Sequence, residues 1–178
     1  MKRILLTSAL IGLGLPAVGS ATDLNVDFTA TVLATTCTIT IVQDGGPVVT
    51  GSNGEYSLTI PDVGLDKVVT GDVAAQANFK LVASDCSNGY SKIFTTLTGT
   101  TVSGKLIVNE TTSGATGVGM GIKRRDTADS AFFTPNNTDK FEWSADEKAS
   151  GVPLTVAMRE KTAGAGRTGA FQAKATFN

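Results

Sequence analysis

Histidine is absent from all 178 residues. Its absence removes the Ser-His-Asp triad, the Cys-His pair and every imidazole-ligated metal site. Cysteine is nearly absent too. Cys37 and Cys86 are the only two, and two thiolates without histidine cannot supply four good zinc ligands. Basic charge is in no excess: 15 Lys and Arg stand against 16 Asp and Glu, which argues against nucleic acid, whose binding needs a basic face. No glycine-rich phosphate loop opens a helix, and no pair of carboxylates is singled out for acid–base work. The chain therefore reads as no enzyme, with no cofactor and no metal. Aromatic residues amount to 6%, with a single tryptophan.

Long apolar runs are also missing, with one exception. Lys2 and Arg3 precede an apolar stretch over residues 4–15, followed by Pro16 and the small residues Ala17, Gly19 and Ala21. That order is a secretory signal peptide, too short to span a bilayer comfortably. Cleavage after Ala21 fits best, with cleavage after Gly19 next. The expected organisation is a leader over 1–21, an extension over 22–34 and one domain over 35–178. Losing Lys2 and Arg3 takes the formal charge from −1 to −3. Export leads to an oxidising compartment, where an even cysteine pair reads as one disulfide, Cys37–Cys86. Two buried free thiols is the other reading that sequence leaves open.

What is present is strand and turn. Twenty glycines, many Thr and Ser, and 41% apolar residues suit an all-β extracellular domain with a real core. Period-two rows occur at Cys37-Thr38-Ile39-Thr40-Ile41, at Tyr56, Leu58 and Ile60, and along residues 79–83. Further rows fall at Ile93, Thr95 and Leu97, at residues 105–108, and at Val118, Met120 and Ile122, which alternate with glycines. Late rows follow at Val152, Leu154, Val156 and Met158, and at Phe171, Ala173, Ala175 and Phe177. Pro153 suits an edge or first strand position. Residues 124–146 read as polar and irregular, with Lys123, Arg124 and Arg125 as a solvated strand end. Asn109 and Asn136 each open a glycosylation-acceptor triplet. Seven or eight short strands separated by turns predict a β-sandwich.

One strand stands apart. Leu24, Val26, Phe28, Ala30 and Val32 alternate with polar residues directly after the leader. In an extended chain all five share one face. An apolar strand at a terminus needs a groove to lie in, and each large side chain contributes roughly 1.5–3 kcal/mol when buried. Periodicity alone allows that groove to be its own domain's or another molecule's.

The chain resembles the pilins of the chaperone–usher family, the subunits of Gram-negative fimbriae. Val26-Asp27-Phe28-Thr29-Ala30-Thr31-Val32, followed by Cys37, is similar to the pilin extension running into the first domain strand. Gly71-Asp72 with Phe79, Leu81, Ala83 and Cys86 resembles the strand leading to the second cysteine. Gly117-Val118-Gly119-Met120-Gly121-Ile122 resembles the mid-chain glycine-rich strand. Val152-Pro153-Leu154-Thr155-Val156 and residues 169–177 resemble the last two strands. Two features depart from the pattern: Phe177 stands where a penultimate tyrosine is usual, and the donor face carries no glycine, Ala30 being its smallest member.

The resemblance implies an immunoglobulin-like β-sandwich that is incomplete, lacking its final strand. It further implies a periodic succession of partners. A periplasmic chaperone first covers the open groove. At the outer-membrane usher the next subunit's extension replaces it by β-strand addition. Leu24, Val26, Phe28, Ala30 and Val32 would be the donated face, and Phe171, Ala173, Ala175 and Phe177 the C-terminal strand at the groove edge. Head-to-tail donation does not close, so it builds a surface filament. A one-domain adhesive tip subunit, with loop 128–137 contacting a host glycan or receptor, is the alternative. A secreted hydrolase is the third reading, for which no residues can be nominated.

Overall fold

Alternating rows become strands wherever a partner strand can bury one of their faces. The computed structural model describes residues 37–45, 49–52, 55–60, 62–87, 90–136 and 140–178, all within one unit, Ala34–Asn178. In chain order these hold β1 (Thr38–Gln43), β2 (Val49–Ser52), β3 (Glu55–Leu58), α1 (Leu65–Thr70) and β4 (Gln76–Ser84). Next come β5 (Phe94–Thr95), β6 (Leu97–Gly99), β7 (Val102–Ser103), β8 (Leu106–Val108) and β9 (Val118–Arg124). Last are β10 (Phe141–Glu142), α2 (Ala145–Ser150), β11 (Val152–Glu160) and β12 (Ala175–Phe177).

Six strands form one sheet in the order β1-β4-β11-β9-β8-β7, all antiparallel. Three strand pairs, β10–β5, β12–β6 and β2–β3, complete the strands. The main core lies where the inner face of the large sheet meets these pairs. Ala77, Phe79 and Leu81 of β4 and Val152, Leu154 and Val156 of β11 pack there with Ile107, Ile122, Ile93, Leu97 and Trp143. The domain is an all-β sandwich.

β11 lies at the centre, not at an edge, flanked by β4 and β9. Pro153 is tolerated because it is the second residue of the strand and the ladder to β9 begins only at Leu154. The row Ile93, Thr95, Leu97 is buried as expected, but the strand is cut in two. β5 pairs with β10 and β6 with β12, so the chain changes partner at Thr96. Both helices are six residues long. A capping box, in which Ser144 and Glu147 satisfy each other's backbone N–H, starts α2.

Cys37 and Cys86 are bonded, 49 residues apart. They staple the start of β1 to the chain leaving β4, beside the pair Thr38↔Ser84. A loop of that length is worth about 4 kcal/mol in the chain-entropy view. The outer face of the glycine-rich β9 is covered rather than bare. Phe132 packs there with Leu106 and Ala157, and a Cβ on Gly121 would meet its ring at 2.8 Å.

Residues 124–146 are mostly turn and coil where described, as expected, but they are not polar throughout. Trp143 is 2% exposed and its indole N–H donates to Thr95 Oγ1 at 2.9 Å. Nor is the basic triplet freely solvated, although Arg124 and Arg125 are partly exposed. Lys123 is 6% exposed and donates to Asp129 at 2.9 Å and to the Thr127 carbonyl. Arg124 pairs with Glu147, and Arg125 with Asp44. Each cation is neutralised locally, because a strand end buried under a loop cannot leave its charges unpaired.

Candidate strand-accepting edge

Among the described residues β12 is bonded along one edge only. Thr96 and Asn178 exchange two backbone hydrogen bonds, at 2.8 and 3.0 Å. In an antiparallel ladder such pairs alternate with pairs whose N–H and C=O groups point away. Phe177↔Leu97 and Ala175↔Gly99 are of the second kind. The same parity holds upstream. The Gln172 carbonyl accepts from Glu110 N–H at 2.8 Å, and the Ala170 carbonyl from Ala115 N–H at 2.8 Å. Even-numbered residues are thus bonded towards 96–115. The backbone groups of Phe171, Ala173, Ala175 and Phe177 face the other way and have no hydrogen-bond partner among the described residues.

The side chains of these four are the half-buried ones, alternating with exposed Gln172, Lys174, Thr176 and Asn178. Ala173, Ala175 and Phe177 pack on the main core. The Phe177 ring lies 5.9 Å from that of Phe79. Phe171 belongs to a second cluster with Val68, Ala115, Val118 and Met158. Ile39 and Ile41 of β1, Leu58 of β3 and Ile60 are likewise only half-buried against the main core. A core left partly uncovered beside an unbonded strand edge provides both halves of a strand-binding site: backbone partners and apolar contact. Leu24, Val26, Phe28, Ala30 and Val32 lie outside the described residues.

Two asparagines shape this edge, and the sequence reading saw in them only glycosylation-acceptor triplets, not a structural role. Asn109 follows β8 and makes four hydrogen bonds. Its Nδ2 donates to the carbonyls of Ala115 at 2.9 Å and Ala170 at 2.8 Å. Its Oδ1 accepts from the N–H groups of Thr111 at 3.1 Å and Gln172 at 2.9 Å. Gly114 and Gly117 let the returning chain come close, since a Cβ on either would collide with the carbonyls of Ala170 or Ala165. Asn136, at φ +58°, caps the far edge of β6. Its side chain both donates to and accepts from the backbone of Gly99 at 2.9 Å, and its N–H donates to Leu97 O at 2.9 Å. The usable signals were local: asparagine directly after a strand favours an Asx turn, and asparagine tolerates the left-handed region.

Away from this edge, on the outer face of the large sheet, Asp129 receives two cations. Arg159 Nε donates to it at 2.6 Å, opposite Lys123. Burial alone would push this carboxyl up. The hydrogen bonds and charges of Arg159 and Lys123 together outweigh it and hold Asp129 below the usual carboxylate value. Among the described residues no three Cys, Asp or Glu side chains converge in a way that would hold a metal ion. No helix among them is long and apolar enough to cross a membrane.

Three likenesses bear on this geometry. The model of a family described as fimbrial protein matches residues 26–178. An uncharacterised fimbrial-like protein of Escherichia coli (strain K12), YadM, is 49% identical over 165 residues, covering 89% of this chain and 86% of that one. The crystal structure of the P pilus rod subunit PapA superposes with a TM-score of 0.53 at 16% identity, covering 86% of this chain and 97% of that chain. At that identity the last likeness is one of fold.

Proposed function

Since the chain belongs to the fimbrial protein family of chaperone–usher subunits, we propose that it polymerises head-to-tail into a surface filament used for adhesion. Membership in the family implies passage through the periplasm and partners of three kinds: a chaperone, an usher and other subunits. The finer reading is that residues 22–34 of one copy add as a strand along the odd-numbered edge of β12 in the next. The observation that carries it is the parity of that edge. The four residues whose backbone groups are unbonded, Phe171, Ala173, Ala175 and Phe177, also turn their half-buried side chains to the open core. An added strand would satisfy both at once. Its alternate residues Leu24, Val26, Phe28, Ala30 and Val32 provide an apolar row of matching period.

Deleting residues 22–31 tests it. The truncated chain should still fold with its disulfide and be exported, yet fail to lengthen fibres. Fibres of normal length built from the truncated chain would refute strand donation.

A further inference from the structure

We propose that Asn109 is a positioning residue that fixes the register of the accepting strand; the proposal rests on the strand-donation reading above. The backbone ladder of β12 begins only at Ala175. The four residues before it, which include half of the accepting edge, have no regular strand partner among the described residues. Asn109 stands in for one. Its amide spans two chain segments, tying the Ala115 carbonyl to the Ala170 carbonyl through Nδ2. Through Oδ1 it ties the N–H groups of Thr111 and Gln172. Phe171 lies between the two residues it holds, and its side chain is one of the half-buried residues packed on the second apolar cluster. A slip of this segment by one residue would turn Phe171, Ala173, Ala175 and Phe177 to solvent, and a slip by two would move each to its neighbour's place. Between Ala173 and Ala175 the pattern is self-similar, so these two positions do not distinguish registers two residues apart, and the register rests on the two phenylalanines at the ends and on Asn109.

The test uses the full chain assembled into fibres, with a benzophenone-bearing phenylalanine analogue in place of Phe28. Photo-cross-links to the neighbouring subunit are mapped by mass spectrometry. In the otherwise native chain they should concentrate on one position among 171–177. In Asn109→Ala they should divide between positions two residues apart, the preference falling about five- to thirtyfold for the loss of the two hydrogen bonds to the accepting segment. If Asn109→Ala does not reach the surface, Asn109→Asp serves, since it keeps both acceptor contacts and loses both donor contacts. Thr95→Val, which destabilises the core elsewhere, should lower the unfolding midpoint and leave the cross-linked position unchanged. An unaltered position and yield in the Asn109 variants would overturn the inference while leaving strand donation standing. No cross-link from position 28 to 171–177 in the native background would instead bring down strand donation itself.

Discussion

The ring of Phe177 lies 5.9 Å from that of Phe79 and tilts 56° to it, so the last aromatic of the chain closes onto the middle of β4. The contact anchors a strand that the ladder holds over only three residues. Phe177→Ala removes a half-buried ring and should cost about 2 kcal/mol, roughly half the fully buried value. Phe177→Tyr keeps the ring and should cost under about 1 kcal/mol. Denaturant midpoints of the two variants decide it. An unshifted midpoint for Phe177→Ala would mean the ring packs elsewhere in solution.

Residues 28 and 29 offer a test by facing direction. Phe28→Asp places a charge in the apolar row and should abolish assembly without unfolding the domain, whereas Thr29→Asp should assemble normally. Fibre counts by electron microscopy, beside circular dichroism of the subunit, read both. Equal assembly by the two variants would contradict a one-faced donor strand.

Trp143, the chain's only tryptophan, reports on the core directly. At 2% exposure it should emit at short wavelength and shift red on unfolding in a single step. Thr95→Val leaves its indole N–H without its acceptor and should lower stability by about 1–3 kcal/mol. The same fluorescence transition measures that shift.

Acid should loosen the outer face of the sheet. Asp129 is held below its ordinary value by Arg159 and Lys123 against the opposing effect of burial. Its contribution is therefore fully present above the unfolded-state carboxylate value, and is lost as pH falls through the lower folded value. Asp129→Asn should destabilise by about 1–2 kcal/mol at neutral pH, discounted because the carboxylate is 41% exposed. It should also flatten the acid limb of the stability profile. A variant as acid-sensitive as the native chain would place that limb on other carboxylates.

Much of the fold was legible because β4 and β11 keep period two long enough to exclude other readings. The pairing of Cys37 with Cys86 followed from export and an even count. The rest depended on contacts that no local window contains. Trp143 looked like part of a polar loop because its partner, Thr95, is 48 residues away. Lys123 looked solvated because its neutralising partner sits in the covering loop, which Arg159 pins from another strand. The break at Thr96 came from a change of pairing partner, not from any turn residue. At the candidate edge the row Phe171, Ala173, Ala175, Phe177 could be read from alternation alone. Which of its sides stays unbonded could not, because that parity is set by Thr96, Glu110 and Ala115.

The cap that Asn136 places on β6 bears on branching. A subunit that gives one strand and takes one has a functionality of two, and such monomers can only form unbranched chains or close into rings. A second free edge at Leu97 and Gly99 would raise the functionality to three, and trifunctional monomers grow into cross-linked networks instead of threads. One amide side chain, engaging both backbone groups of one glycine, closes that edge of β6 to a further strand.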